Sequence, residues 1–248
     1  MNRNARLTQI FVGSMVLAAL ASATYAGLQS HTLRLVQAAA LLGLAAATSR
    51  MKVKLPGITG NMSVNLPFIL IAVTSLSSVE ATAIACLSTV LQSLPKAGNK
   101  FKPEQMLFNI SMMGFAASVA GLLWHASSQI RAAWASEPVL LALTTAVFFA
   151  GQTAPVATII TLTESTPMRQ TGFRRTWLRI AQLSFPYYVV SAGVAAIMAS
   201  VSDTMGWLTA LAVFPVMYAI HRSYRLYFAN AAEAPRLASL SRVARAGA

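Results

Sequence analysis

The sequence predicts an all-α membrane protein with about eight transmembrane helices, and three observations point to this fold class. Hydrophobic residues make up 56% of the 248 residues and charged residues only 10%, whereas a soluble domain carries about 25% charged residues. Apolar blocks alternate with short basic segments along the chain, which is the pattern of several spanning helices. The alternating strands of about ten residues that indicate a membrane barrel are not visible.

Six apolar blocks are each predicted as one spanning helix, because about 20 mostly apolar residues cross the hydrocarbon core. In chain order they are residues 8–28, 32–49, 104–125, 138–163, 180–201 and 207–220. Together with a hairpin they give a transmembrane domain over residues 1–228. Residues 229–248 are predicted to be a basic, disordered tail in the cytoplasm, because they hold scattered arginines and a proline but no apolar block.

A further apolar block, residues 64–94, is too long for one span, since its 31 residues would form a helix about 46 Å long. Ser77 and Glu80 lie in its middle at the spacing of a capping box, which starts a new helix. The block is therefore predicted to be a helical hairpin in which Glu80 caps the second arm at the far end. Both arms are short, so the hairpin either spans the bilayer or is re-entrant.

The basic residues sort to one side of the membrane if residues 64–94 form a hairpin. Of the 19 Lys and Arg residues, only Arg34 and Arg131 then fall outside, which leaves 17 in the cytoplasm. This bias predicts a multi-pass protein of the bacterial inner membrane with both termini in the cytoplasm. As an alternative for the N-terminus, Arg3 and Arg6 followed by an apolar stretch resemble a cleaved signal peptide.

Several classes of function are not expected from the composition. The net charge of +13 does not indicate nucleic-acid binding, because the basic residues are spread over short segments between apolar blocks. The lone Cys86 has no cysteine partner, and the three histidines fit no metal-ligand spacing. Motifs for a nucleophile, a phosphate loop or a metalloprotease are missing. We therefore expect neither an enzyme nor a bound metal or other cofactor.

Uncharged polar residues within the predicted spans are the candidates for a ligand site. If several face one cavity, they could bind a small polar molecule, and Pro155 and Pro186 would each free a backbone carbonyl. Alternatively, such residues only bond from helix to helix. The predicted ligand-binding residues are Asn65, Asn109, Gln152, Thr153, Tyr187 and Tyr188.

Basic residues of the inner segments are predicted to form a docking surface on the cytoplasmic side. Lys52 and Lys54 precede the hairpin, and Arg174 and Arg175 precede the seventh span. The segment FRRTWLRIAQ (173–182) mixes arginines with apolar and aromatic residues, so it could also lie flat on the inner leaflet. The expected partners are the lipid bilayer and either a signalling protein or a larger membrane complex.

Four segments, taken in order, resemble one known family. They are KLPGITGNMSVNLPFILIAVTSLSSVEATAIACLSTVLQSL, FFAGQTAPVATIITLTES, TWLRIAQLSFPYYVVSAGVAAIMAS and VMYAIHRSYRLYF, all within residues 50–228. Together they are similar to the membrane-embedded N-terminal region found ahead of some bacterial HD-GYP and GGDEF signalling domains, which degrade or make cyclic di-GMP. The resemblance implies a membrane sensor module.

The chain departs from that family after Phe228. In the family the last span normally continues into a cytosolic signalling domain, whereas here only ANAAEAPRLASLSRVARAGA follows. We expect no catalytic domain in this tail and therefore no cyclic-dinucleotide activity. A weaker likeness, over residues 55–94, is to the substrate-binding membrane subunits of energy-coupling vitamin transporters, which usually have six spans.

These observations leave three functions open. The first is a stand-alone membrane sensor or adaptor that binds a small molecule or lipid and signals through a separate partner, and the resemblance favours it. The second is a structural subunit of a larger membrane complex, which would pack through faces rich in small residues. The third is a small-solute transporter or its substrate-binding subunit.

Overall fold

The computed structural model describes most of the chain and places helices where the sequence predicts them. The described residues are 3–29, 33–54, 61–95, 101–125, 136–163, 167–205, 211, 213–223 and 225–226. The predicted disordered tail, residues 229–248, lies outside them.

Each helix of the described part overlaps one predicted span or one arm of the predicted hairpin. The helices are α1 (Arg3–Leu28), α2 (Leu35–Ser49), α3 (Leu66–Ser75), α4 (Ser78–Ser93), α5 (Pro103–His125), α6 (Glu137–Thr163) and α7 (Pro167–Met205). A last one, α8, is helical over residues 213–223. The all-α fold class is thus confirmed, because long apolar runs are the strongest local signal for helices.

Four helices in the described residues are long and apolar enough to cross a membrane. They are Asn4–Leu28, Pro103–His125, Glu137–Thr163 and Gly172–Val201, while α2 and α3 are apolar but shorter. Eight complete spans and the cytoplasmic position of both termini stay predictions.

A pair of short strands, which the sequence did not predict, lies between α2 and α3. β1 (Lys52–Lys54) pairs antiparallel with β2 (Asn61–Ser63), with Lys52 opposite Ser63. The Ser63 hydroxyl also donates to the carbonyl of Ser49 at 2.9 Å, one of the carbonyls that the end of α2 leaves without a helical partner. The connection between α2 and α3 is therefore tied to the end of α2.

The predicted hairpin is formed by α3 and α4, which pack against each other. Between them Leu76 and Ser77 have extended backbone, so the chain reverses within two residues. The arms of 10 and 16 residues are about 15 Å and 24 Å long. The first arm is too short to cross the hydrocarbon core by itself.

The short helix α3 lies at the centre of the core. All residues from Leu66 to Val73 are buried, and α2, α4, α5 and α7 pack around the helix. A helix that is apolar on every side is stable only when it is buried. By contrast, α1 packs mainly against α5 and exposes large side chains such as Leu17 and Leu20.

Small residues bring α4 and α5 close together. A Cβ atom at Gly121 would lie 3.2 Å from the Cα of Ser78, so only glycine fits there without a shift of the neighbour. One turn away, the hydroxyls of Thr82 and Ser118 form a hydrogen bond of 2.9 Å. Small residues at such positions let helix backbones approach closely in membrane proteins.

The helix α7 is longer than the predicted seventh span, because a basic segment precedes the apolar one in the same element. Its backbone breaks at Gly172, where φ is 73° and ψ is 161°. Glycine adopts a positive φ without the steric cost that a Cβ atom would add. The segment 173–182 then continues without interruption into the apolar part of α7.

Candidate functional site

Two clusters of polar side chains lie inside the helical core, and the first surrounds the turn between α3 and α4. We call this cluster the hairpin tip. The Glu80 carboxylate accepts hydrogen bonds from the backbone N–H of Ser77 (3.1 Å) and from its hydroxyl (2.7 Å). The Ser77 oxygen in turn accepts from the N–H of Glu80 (3.3 Å). This reciprocal pair is a capping box at the start of α4.

A backbone group distant in sequence also binds Glu80. The N–H of Arg34, just before α2, donates to the second carboxylate oxygen at 2.6 Å. Glu80 is only 6% exposed, and a buried carboxylate is tolerated when such hydrogen bonds compensate for the loss of water. Glu80 therefore links the start of α2 to the start of α4.

Two side chains from the end of α5 bind the other side of the hairpin tip. The indole N–H of Trp124 donates to the carbonyl of Thr74 (3.1 Å), and the ring Nε2 of His125 bonds to the carbonyl of Leu76 (2.8 Å). These carbonyls belong to the end of α3, where a helix runs out of N–H donors. The hairpin tip is thus fixed largely by bonds to backbone groups.

The second cluster lies where α5, α6 and α7 pack together, and we call it the polar cluster (Met113, Gln152, Thr153, Trp177 and Tyr188). The Tyr188 hydroxyl donates to Oε1 of Gln152 at 2.6 Å. The Nε2 amide of Gln152 donates to the sulfur of Met113 at 2.7 Å. A single side chain of α6 thus bonds to α7 through its oxygen and to α5 through its nitrogen.

Thr153, the next residue, makes a further link between α6 and α7. Its Oγ1 accepts from the indole N–H of Trp177 (3.1 Å) and donates to the carbonyl of Phe149 in the preceding turn (2.8 Å). Thr153 is buried, so water does not compete for this bond. Two adjacent residues of α6 therefore hold two different turns of α7.

Aromatic rings surround the bond between Gln152 and Tyr188. The ring of Phe149 meets that of Tyr188 edge-on, at 4.8 Å between centroids, and Phe148 lies at 6.4 Å. The Tyr187 ring is 6.5 Å from that of Tyr188. Aromatic pairs favour such edge-to-face arrangements, and an apolar surrounding strengthens a hydrogen bond that it encloses.

Prolines inside α6 and α7 lie close to the polar cluster along the chain. Because Pro155 has no N–H, the carbonyl of Gly151 lacks its helical donor, and Pro186 has the same effect on Gln182. Sharp bends in helices occur mostly at such positions. The polar cluster is therefore built on two helices whose backbone is weakened beside it.

The structure places four of the six predicted ligand-binding residues at the polar cluster or directly beside it. Asn109 is half-buried on α5, four residues before Met113, which puts both residues on the same side of the helix. The residues placed together are Gln152, Thr153, Tyr187 and Tyr188.

Asn65 belongs to the hairpin instead. It is buried at the start of α3, and its amide donates to the hydroxyl of Ser88 on α4 at 3.2 Å. In the described contacts Asn65 therefore lies apart from the polar cluster. The reason is that α3 turns back at Leu76, so that Asn65 lies against α4 rather than α6.

The predicted docking residues lie on two different elements. Lys52 and Lys54 form the ends of β1, and Lys52 is half-buried. Arg174 and Arg175 lie just after the break in α7, and both are exposed.

The sequence did not indicate three residues that hold the two clusters. Met113 lies in an apolar run, where nothing pairs it with Gln152. Trp124 and His125 lie at the end of a predicted span, where tryptophan usually serves as an interface anchor. Their bonds to the end of α3 depend on how α5 packs against the hairpin, which local sequence does not encode.

Comparisons with known proteins extend this description. A protein-family model, MASE9, matches residues 32–228, a range that begins just before α2 and contains both clusters. No curated protein and no solved structure matches the chain.

Proposed function

Because the chain belongs to the MASE9 family of membrane-associated sensor domains, we propose that it binds a small molecule or lipid within the membrane and passes the bound state to a partner protein. The family supports the sensor module that the resemblance implies. A relationship to HD-GYP or GGDEF signalling domains stays a prediction.

The observation that carries this proposal is the polar cluster, in which Gln152 alone joins three helices. A sensor needs an element with two arrangements that a ligand can bias, since a ligand shifts an equilibrium only by its differential affinity. Bonds between side chains of different helices can be exchanged without unfolding a helix. The polar cluster meets this requirement better than the hairpin tip, where backbone groups supply most of the partners.

The chemistry of Gln152 indicates what kind of group the ligand presents. A thioether sulfur is a weak hydrogen-bond acceptor. Breaking the bond from the Gln152 amide to Met113 therefore costs little free energy when a better acceptor takes its place. A ligand carrying a carbonyl, carboxylate or phosphate oxygen would accept from this amide more strongly. The Tyr188 hydroxyl would meanwhile continue to hold the Gln152 oxygen, which orients the amide toward the ligand.

A change at the polar cluster has a direct route to the cytoplasmic side. On the predicted topology α7 enters from the cytoplasm, and Trp177 lies on its first turns after Gly172. Displacement of Tyr188 or Trp177 would move this basic segment and the surface around it. We place the partner at the inner basic segments, including Lys52 and Lys54, and assign no catalytic step to the chain itself.

This proposal includes a location in the bacterial inner membrane, with several spans and both termini in the cytoplasm. Four helices of sufficient length and composition and the inner bias of Lys and Arg support it. A cysteine-labelling scan with a membrane-impermeant reagent on whole cells would test the orientation. Labelling near the hairpin tip and protection at residues 96–102 are expected.

The first test of the function is purification from the native membrane in mild detergent, with the co-purifying proteins identified by mass spectrometry. A kinase, cyclase or phosphodiesterase partner is the expected result. A large assembly at fixed stoichiometry without a signalling protein would contradict the proposal and favour a structural subunit. A coupled ATPase would instead favour a transporter.

The second test concerns the polar cluster itself. In membranes that contain the identified partner, Gln152→Leu should abolish the change in partner activity that the stimulus causes. Gln105→Leu is the matched control, because Gln105 is an exposed glutamine in the first turn of α5. An unchanged response in Gln152→Leu would remove Gln152 from the site.

A further inference from the structure

The first turns of α7 after Gly172 have two different faces. Thr176 and Ile180 are buried, and Ile180 packs with Ala157 and Ile160 of α6. The opposite side is exposed and consists of Arg174, Arg175, Leu178 and Arg179. Residues four positions apart share one side of a helix, so three guanidinium groups surround one leucine on the outward face.

The charge of this face is not balanced by acidic residues from the neighbouring helical segments. In the described parts of α6 and α7 the acidic residues are Glu137 and Asp203, at the ends of these helices far from the three arginines, and Glu164 lies outside the described residues. An anionic group from outside these two helices would complement the charge of this face.

The outward face of α7 changes character a short distance further on. Phe185, Val189 and Ile197 are exposed apolar residues, as expected where a helix faces hydrocarbon. The rise from Arg179 to Phe185 is about 9 Å. Because arginine in the hydrocarbon core is costly, the three arginines lie at the level of the lipid headgroups. Tryptophan prefers the same level, and Trp177 lies on the same turns of α7 as the three arginines.

We propose that Arg174, Arg175 and Arg179, with Leu178 between them, form a binding surface for the headgroups of anionic phospholipids. Guanidinium groups bind phosphate oxygens with two parallel hydrogen bonds, and Leu178 contacts the upper part of the acyl chains. Arg174 and Arg175 are two of the predicted docking residues. On this proposal their partner is a lipid rather than a protein.

Quenching of Trp177 fluorescence by brominated lipids tests this assignment in the full chain. The protein is reconstituted into vesicles of phosphatidylcholine and phosphatidylglycerol, with bromine on the chains of one lipid or the other at equal mole fraction. The fluorescence of Trp177 is obtained by subtracting the fluorescence of the Trp177→Phe variant from that of the unmutated protein. The attraction of one arginine to an anionic surface corresponds to about a fivefold preference. Brominated phosphatidylglycerol should therefore quench Trp177 at least about twice as strongly as brominated phosphatidylcholine.

Two variants that lose the same charge at different places show whether the excess quenching depends on the arginines beside Trp177. Arg174→Gln/Arg175→Gln should reduce the excess quenching. Arg222→Gln/Arg225→Gln, on one exposed residue in the last turn of α8 and one just after it, should leave it unchanged. Circular dichroism checks that both variants keep their helices. Equal quenching by the two lipids, no quenching by either, or the same reduction in both variants would overturn the assignment.

Discussion

The hairpin tip and the polar cluster are both buried polar groups in an apolar helical core, but their partners differ in kind. At the hairpin tip, Glu80 accepts from two backbone N–H groups, and Trp124 and His125 bond to backbone carbonyls. In the polar cluster, the bonds that connect different helices run from side chain to side chain.

The difference indicates which region holds the fold and which can change. Backbone groups at helix ends must be paired when they are buried, so a rearrangement of the hairpin tip would leave buried backbone groups without partners. Bonds between side chains in a membrane contribute only about 0.6 kcal/mol on average. On the proposed function, rearrangement of the polar cluster by a ligand therefore requires only a small part of the free energy of binding.

Among the substitutions that test this difference, the one at Glu80 should cause the largest loss of stability. Glu80→Ala leaves the N–H and hydroxyl of Ser77 and the N–H of Arg34 without their acceptor, which should lower the free energy of unfolding by about 3 kcal/mol or more. The free energy of unfolding is measured by titration with SDS in mixed micelles. Glu104→Ala, at an exposed glutamate in the first turn of α5, should cost at most about 1 kcal/mol. Equal losses in both variants would show that the hairpin tip is not a structural junction.

The next largest loss of stability is expected from a substitution at the contact between α4 and α5 beside the hairpin tip. Gly121→Ala puts a methyl group about 3 Å from Ser78, which we expect to cost about 1–3 kcal/mol through strain. Gly43→Ala is the matched control, since nothing lies within 4 Å of that position. There the better helix propensity of alanine should stabilise the protein by up to about 1 kcal/mol. In thermal unfolding, the midpoint temperature should fall for Gly121→Ala and rise for Gly43→Ala. A change in the same direction in both variants would contradict the close approach of α4 and α5.

The bond between Gln152 and Tyr188 should have a smaller effect on stability. A double-mutant cycle of Gln152→Leu and Tyr188→Phe is expected to give a coupling of about 0.6 kcal/mol, measured by SDS unfolding. A coupling above about 2 kcal/mol, beyond the largest values measured in membrane proteins, would mean that the polar cluster is as rigid as the hairpin tip. That outcome would remove the physical basis for a switch at this position.

The smallest effect is predicted for the bond between Thr153 and Trp177. Thr153→Val keeps the shape of the side chain but loses the acceptor, so the free energy of unfolding should fall by less than about 0.6 kcal/mol. In the same variant the fluorescence of Trp177 should shift, because its indole N–H changes partner. Thr158 is a half-buried threonine of the same helix whose hydroxyl donates to the carbonyl of Ala154. Thr158→Val should therefore leave the spectrum unchanged.

The helices and the turn at residues 76–77 could be predicted because their signals are local. Long apolar runs mark each helix, and Ser77 and Glu80 are close enough in sequence for the spacing to indicate the capping box. The strand pair between α2 and α3 was missed because its strands are only three residues long. The length of α7 was underestimated because a polar, basic segment does not look like part of a spanning helix.

The sequence could indicate some of the residues that lie together in the polar cluster but not others, and particular residues show why. Polar residues in apolar runs directed attention to Gln152, Thr153 and Tyr188, which do lie together. The same criterion included Asn65, which bonds to Ser88 within the hairpin. It could not find Met113, since an apolar residue in an apolar helix carries no signal of its own.

The sequence by itself determined that this chain is a helical membrane protein with a capped hairpin, because hydrophobic runs and capping residues act over a few residues. Only the tertiary structure decided that α3 is enclosed by other helices, that Glu80 binds the N–H of Arg34, and that Gln152 lies between Met113 and Tyr188. These contacts join residues 36 to 46 positions apart. They depend on the rotation and depth of each helix, which are set by packing against all the others rather than by any one segment.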